Sequence, residues 1–422
     1  MLRHRLLLLL LLGASPLSVC ASESLSLEAA VARALEIAPQ VGARTADFEA
    51  MQALAVSAGR LPDPELLVGI DNLPVTGEDA YSTTRDFMTM RKVGVMQEFP
   101  ASAKRKLQRQ LADAEVGVAQ AELLESRLAI AREVAQAWIR RATAESSLHD
   151  LRTLQPEVEL QAVAARAGVS AGRSSTAEAL AAETAVAQLN ARLLRMQSEA
   201  RRASFELARW IDADAARPLA PMPSLNELPT PPEALLASMH EHGSLLKYQS
   251  QIDAARLDVD LAKAQRRPDW SAELAYAKRG PDFSDMVSLE FRIGLPLFTK
   301  YRQDPQASAK HAALRRIEAE REAELRMHTA EIKQMLNEWQ QLGAQVEQYE
   351  RELLPLARER SRAALASYRT GRSELSLALD AYRQETELVV EHAELLNERG
   401  RAWAFLRYLG REHLHDPSES SP

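Results

Sequence analysis

The feature that most constrains the fold is a stretch of about sixty-five residues, beginning just after Pro100, that contains almost no helix breaker. Its apolar residues follow one another mostly in alternating steps of three and four, the heptad spacing of a helix that packs along another helix. They are Leu107, Leu111, Ala114, Val118, Ala121, Leu124, Leu128, Ala131, Ala135 and Trp138. At about 1.5 Å per residue such a helix would be about 100 Å long, so a second long helix must lie alongside it.

The second half of the chain repeats this arrangement. A helical pattern with the same spacing carries Ile332, Met335, Trp339, Leu342, Val346, Tyr349, Leu353 and Leu356. Landmarks also match at a nearly constant offset: Pro156 with Pro355, Gly172-Arg173 with Gly371-Arg372, and Trp210 with Tyr408. The offset is far longer than a solenoid unit. We therefore predict a tandem duplication, with repeats at residues 22–211 and 233–410, a proline-rich connector at 212–232 and a polar tail at 411–422.

The first 21 residues have the pattern of a secretion signal. Arg3 and Arg5 precede an apolar run at residues 6–12, and small residues follow it up to Val19-Cys20-Ala21. Two forms of processing fit this segment: cleavage after Ala21, or a lipoprotein box in which Cys20 becomes the lipidated first residue. In either case the remaining chain contains no disulfide, because Cys20 is its only cysteine.

Four segments alternate apolar and polar residues in the manner of strands: 66–71, 87–99, 270–277 and 287–295. We expect each to be about ten residues long, the length that a tilted strand needs to cross a bilayer with one apolar face. Four strands cannot close a barrel, and open edges are not tolerated in lipid. Three copies would supply twelve strands, so a symmetric assembly is the simplest closure. The alternative is a pair of soluble hairpins packed on a core.

Composition and motifs exclude several functions. The net charge is −7, and basic residues are interleaved with acidic ones along the helices, which argues against nucleic-acid binding. No window after the first 21 residues offers eighteen consecutive apolar residues. The chain has no phosphate loop, no Gly-x-Ser-x-Gly elbow and no zinc-protease helix. We therefore expect neither enzyme activity nor a cofactor.

These features together resemble the TolC-type outer-membrane efflux factors over nearly the whole chain after the signal. They are the paired repeats of helix, strand pair and long hairpin, the strand ends at Phe99-Pro100 and Leu295-Pro296, and the Gly-Arg-Ser turns. The segment Leu-Pro-Asp-Pro-Glu-Leu at 61–66 looks most like members that serve heavy-metal resistance-nodulation-division (RND) pumps. The resemblance implies a mainly α, α+β protomer of long helical hairpins and four transmembrane strands. It also implies a trimer with a 12-stranded barrel in the outer membrane, continued by a helical barrel through the periplasm.

The resemblance implies a passive duct that performs no covalent chemistry. Its hairpin tips, at residues 168–175 and 368–373, would contact a periplasmic adaptor that couples the duct to an inner-membrane RND pump. Acidic rings just past the second tip would close the duct, with Asp380 at one acidic position and Leu377 at the other. The tip residues concerned are Gly172, Arg173, Ser174, Gly371, Arg372 and Ser373. The alternative for the two arginines is that each keeps its turn soluble, and for Asp380 an ordinary exposed helix acid.

Three methionines, Met88, Met90 and Met96, share one face of the second predicted strand. Thioethers select soft cations such as Cu(I), so they are candidates for contacts with metal cargo; the alternative is that they fill gaps in packing. We expect His240 and His242 to be solvated, and likewise the histidine pair at 413 and 415. Three readings of function follow: a duct for metal cations such as copper, silver, zinc, cobalt or cadmium, a duct for organic toxicants or exported proteins, and a periplasmic coiled-coil scaffold without a pore.

Overall fold

The computed structural model describes residues 24–411 and residue 414. The predicted signal peptide, Cys20 and the histidines at 413 and 415 lie outside the described residues, as does most of the tail. The helices are α1 (Leu27–Ile37), α2 (Pro39–Ser57), α3 (Ser102–Ser170), α4 (Thr176–Ile211), α5 (Pro232–Ala237), α6 (Gly243–Ala264), α7 (Gln303–Gln348), α8 (Leu354–Arg369) and α9 (Leu375–Arg407). The strands are β1 (Glu65–Asp71), β2 (Met90–Phe99), β3 (Trp270–Lys278) and β4 (Met286–Ile293).

Two long helical hairpins dominate the structure, as predicted. The first consists of α3, which is 69 residues long, and α4, which returns along it. In the second hairpin α9 returns along α8 and α7. Pro156 and Pro355 lie at matching positions on the outgoing sides of the two hairpins, and they are accommodated differently. The helix α3 continues through Pro156, whereas a π-helical segment, Tyr349–Leu353, separates α7 from α8 just before Pro355.

The main core lies where the hairpins meet the short helices. Trp138 and Trp403 are fully buried there, and the apolar face of α1 packs against them. Two tryptophan ring N–H groups secure the connector between the repeats. Trp339 donates to the carbonyl of Leu225 at 2.9 Å, and Trp403 donates to that of Glu227 at 2.8 Å. Because each bond satisfies the N–H of a fully or partly buried indole, the predicted connector is held closely against the helices.

The four strands form one antiparallel sheet in the order β1-β2-β3-β4. The two predicted repeats are therefore joined through β2 and β3, where Gly94 lies opposite Ala275. A Cβ atom at Gly94 would come within 2.8 Å of the Ala275 Cβ, so this close pairing requires glycine. Strand β2 has the expected ten residues but begins at Met90, three residues later than predicted, whereas β1, β3 and β4 have seven, nine and eight.

Within the described part of the chain, no helix is both long enough and apolar enough to cross a membrane.

Candidate functional site

One face of the sheet is apolar and open. On this face the Phe99 and Trp270 rings stack with centroids 4.1 Å apart, and Phe291 lies 6.4 Å beyond Trp270. The exposed large apolar residues on this face are Leu66, Val68, Ile70, Val93, Val95, Trp270, Leu274, Tyr276, Val287, Leu289, Phe291 and Ile293. An exposed apolar surface that is continuous across four strands marks contact with lipid or with another protein.

The opposite face is polar, and four of its charged side chains, on β2, β3 and β4, form ion pairs. The Glu273 carboxylate is only 4% exposed and lies between two cations, with Lys92 Nζ at 2.5 Å and an Arg292 guanidinium nitrogen at 2.7 Å. Arg292 also contacts Glu290 at 2.7 Å. Since buried charges need partners, this arrangement keeps the inner face polar at low energetic cost. Apolar residues outside and polar residues inside form the pattern of strands between lipid and a wet interior.

The three methionines predicted to share a strand face lie in two different environments. Met90 and Met96 are half-buried on the polar face, and Met96 lies opposite Glu273 in the β2–β3 register. Met88 precedes β2 and is half-exposed in the loop, so the prediction that it belongs to the strand was wrong. The reason is local: the Asp86 carboxylate accepts the Met88 N–H at 2.8 Å and thereby extends the loop. Among residues 24–411 and 414, no three or more His, Cys, Asp or Glu side chains are grouped so that they could hold a metal ion.

Each hairpin tip turns at a glycine. Gly172 and Gly371 have φ angles of 65° and 69°, the left-handed region that glycine adopts without strain. At the first tip the Gly168 carbonyl accepts the N–H groups of Arg173 and Ser174 at 2.8 and 3.2 Å. The other predicted tip residues, Arg372 and Ser373, take equivalent positions in the second tip, and both arginines are exposed.

The two tips pack together through small side chains. Ala165, Ala182 and Ala378 come from α3, α4 and α9, and all three are fully buried beside Leu375. Small residues allow helices to approach closely, so the tips behave as one packed unit. At the end of α8, two residues before Gly371, Arg369 donates to the Glu157 carboxylate on α3 at 2.8 Å and links the two hairpins.

Asp380 and Leu377 are both exposed near the start of α9. Asp380 is not an isolated acid, because an Arg383 guanidinium nitrogen lies 3.7 Å from its carboxylate. Asp380, but not Leu377, lines an open groove of about 680 Å³ between α4 and α9, together with Arg192 and Arg195. The sequence did not indicate these arginines, because α4 reaches the groove only through tertiary packing.

His242 contradicts the expectation of a solvated histidine, whereas His240, two residues earlier, is exposed as expected. The Nδ1 atom of His242 lies 2.9 Å from Nε2 of His328 on α7, and both rings are buried. Burial lowers the pKa of His242 to about 4 and also lowers that of His328. The pair is therefore neutral at neutral pH. Sequence analysis did not predict a role for His328, because nothing in the sequence around it indicates that it packs against a residue of another helix.

Solved structures share this fold. The outer-membrane protein VceC of Vibrio cholerae is 20% identical, with 91% of this chain and 94% of VceC covered and a TM-score of 0.74. The CmeC outer-membrane channel of Campylobacter jejuni is 12% identical, covers 93% and 88% of the two chains, and gives a TM-score of 0.76. The MtrE outer-membrane channel of Neisseria gonorrhoeae is 15% identical, with 92% and 89% covered and a TM-score of 0.74. A scan against protein-family models and a search of curated proteins each returned no match.

Proposed function

We propose that this chain, which has the fold of the TolC-type outer-membrane efflux channels, is one protomer of an outer-membrane exit duct in a tripartite efflux system. The observation that carries the proposal is the sheet, with an open apolar face on one side and paired charges on the other. This sheet continues directly into hairpins that are long enough to enter the periplasm. The protein conducts substrate passively and carries out no reaction of its own.

The duct is a homotrimer. Within one chain β1 and β4 each have a single sheet partner, so each sheet presents two open edges. Strand edges are not stable in lipid, and a ring of copies closes them by pairing β4 of one copy with β1 of the next. Three copies give twelve strands, a barrel size found in outer membranes. Each copy contributes both repeats, 22–211 and 233–410, joined by the connector at 212–232.

The hairpin tips are the periplasmic end of the duct and contact the adaptor of an inner-membrane RND pump. The exposed arginines Arg173 and Arg372 stand at the two turns, where they are accessible to acidic groups or carbonyls of the adaptor. Asp380 and Leu377 form the constriction just inside the tips.

Substitutions on the two faces of β4 test the duct. Arginine at Leu289, on the apolar face, costs about 2–4 kcal/mol in a bilayer, so Leu289→Arg abolishes the heat-sensitive trimer in the outer-membrane fraction. Ser288→Arg, one residue earlier and on the polar face, leaves the trimer in place. A protein that is found as a soluble periplasmic monomer, or one that is indifferent to Leu289→Arg, contradicts the proposal and favours a scaffold without a pore.

The cargo that we propose is heavy-metal cations. Support comes from the segment at 61–66, which resembles channels of metal pumps, and from Met90 and Met96 on the polar face of β2, where thioethers suit soft cations. Deletion and complementation test this on plates with copper, silver, zinc, cobalt and cadmium salts and with a panel of dyes and antibiotics. Sensitivity confined to metals supports the assignment. Sensitivity confined to organic compounds keeps the duct and overturns the metal cargo.

A further inference from the structure

A partly buried ion pair joins the two predicted repeats inside one chain. The Asp269 carboxylate, just before β3, accepts the Ala101 backbone N–H and the Lys104 ammonium group, each at 2.7 Å. Lys104 is 5% exposed, whereas the Asp269 side chain is 35% exposed, so only the basic member is shielded from water. Together these contacts attach the β2–α3 connection of the first repeat to the beginning of the strand pair in the second.

The acidic member of this pair has a counterpart in the first repeat. Pro62-Asp63 precede β1 as Pro268-Asp269 precede β3, and an arginine stands two residues before the proline in both places. Asp63 thus occupies the position of Asp269 in the other repeat. It is exposed, and the described residues supply it with no partner.

The basic member has a counterpart as well. Lys104 lies four residues after Pro100, at the end of β2, and Lys300 lies four residues after Pro296, at the end of β4. Lys300 is exposed, and within residues 24–411 and 414 its ammonium group has no acidic partner; it lies 5.7 Å from the ring centre of its neighbour Tyr301.

These unpaired counterparts cannot meet within one chain, because they flank β1 and β4, the opposite edges of the sheet. We propose that Lys300 of one copy forms an ion pair with Asp63 of the next copy. This contact reproduces, between copies, the Lys104–Asp269 ion pair within the chain. It rests on the proposed ring assembly and specifies which residues close the ring.

The helices beside the sheet also indicate a contact with a neighbouring copy. The helix α6 packs between α3 and α7, whereas the extensive helix contact of α2, its counterpart in the first repeat, is with α3. With Pro62 aligned on Pro268, Ala46 and Ala53 of α2 fall on Ile252 and Val259 of α6. Ile252 and Val259 are buried, but Ala46 and Ala53 are exposed. A neighbouring copy that supplies α7 to the open flank of α2 would cover them.

Cysteine cross-linking tests the contact in the full chain, in outer membranes. Asp63→Cys and Lys300→Cys are combined in one chain and treated with a short bifunctional thiol reagent, and the denatured products are separated by size. We expect covalently linked dimers and trimers. The matched control combines Asp269→Cys with Lys104→Cys and links only within the monomer. The parent chain, whose single cysteine is Cys20, reports the background.

The outcomes separate this inference from the proposed function. If native protein is trimeric but the 63–300 pair gives only monomers while the control pair reacts, the interface is wrong and the trimeric duct stands. If native protein is monomeric in the membrane, both are wrong.

Charge reversal provides a second measurement. Asp63→Lys or Lys300→Asp alone lowers the temperature at which the detergent-resistant trimer dissociates, and the combined variant restores at least half of the loss. Absence of restoration in a folded double variant overturns the pairing.

Discussion

Two histidines that are two residues apart differ completely in environment. His240 is exposed, whereas His242 is 2% exposed and bonded to His328 across the α6–α7 contact. The hydrogen bond between the two rings requires one ring nitrogen to act as acceptor. The bond therefore survives the addition of one proton to the pair but not of two. Burial makes the charged form unfavourable in the folded state.

This pair makes folding stability sensitive to pH. The folded pKa of His242 is about 4, against an ordinary value of 6.5, so between these values the unfolded state binds more protons than the folded one. The stabilisation is fully present above pH 6.5 and is lost as the pH falls toward 4, by about 3 kcal/mol in total. Thermal unfolding followed by circular dichroism over this range measures the loss.

A matched pair of variants isolates this effect from other titrating groups. His242→Gln flattens the dependence of the unfolding temperature on pH, whereas His240→Gln leaves it unchanged. A pH slope in His242→Gln equal to that of the parent would assign the effect to other residues.

Asp380 supports a second prediction for a single residue. Three copies of its carboxylate would attract cations at the constriction, although Arg383 at 3.7 Å offsets part of that charge. We therefore expect Asp380→Ala to reduce cation selectivity in planar bilayers, and Arg383→Ala to increase it. If both variants retain the parent reversal potential and conductance, Asp380 does not line the constriction.

At the level of elements, the two hairpins each have a long outgoing side and a shorter returning helix, but their outgoing sides differ in continuity. The first outgoing helix is continuous, whereas the second contains the π-helical segment Tyr349–Leu353. A π-helical turn leaves backbone groups with weaker local bonding, and such turns are frequent at functional sites. The second hairpin is therefore the one better suited to bend.

The Arg369–Glu157 contact opposes separation of the hairpins. Both side chains are partly exposed, so their ion pair is worth less than about 1 kcal/mol. Since an opening at the tips requires the hairpins to move apart, Arg369→Met raises the open probability of the reconstituted channel by at most about five-fold. Arg372→Met, at the exposed tip, has no such effect without an adaptor. An unchanged open probability in Arg369→Met would show that this contact does not restrain opening.

At the level of the whole molecule, a single chain leaves surfaces exposed that are normally covered in a stable protein. Its sheet has two open edges, its outer sheet face is apolar, and α2 has a small-residue surface without a neighbour. Each feature is unfavourable in an isolated chain and is resolved when a second copy is added on each side.

Assembly is therefore expected to be more sensitive than folding to changes on α2. Ala53→Glu places a charge on an exposed site, which changes protomer stability by less than about 0.5 kcal/mol. In a ring the same charge is buried without a partner, at a cost of about 3 kcal/mol. We expect the trimer to be lost while the helical content remains. Gln52→Glu, about 100° around the helix, serves as the control, and a normal Ala53→Glu trimer would place the interface elsewhere.

The sequence by itself determined the features that depend on near neighbours. The heptad spacing that begins at Leu107 predicted α3, and the glycines at 172 and 371 predicted the two turns. The alternation of apolar and polar residues predicted the four strands and their apolar face. These features could be predicted because periodicity and backbone preference depend on residues that are close together in the chain.

Tertiary structure alone decided which distant groups meet. The order β1-β2-β3-β4, the Lys92–Glu273 pair, the His242–His328 bond and the Arg369–Glu157 link join residues that are far apart in the chain. No local pattern encodes such contacts, because they depend on how whole helices and strands pack. The same packing leaves Asp63 and Lys300 on opposite edges of the sheet.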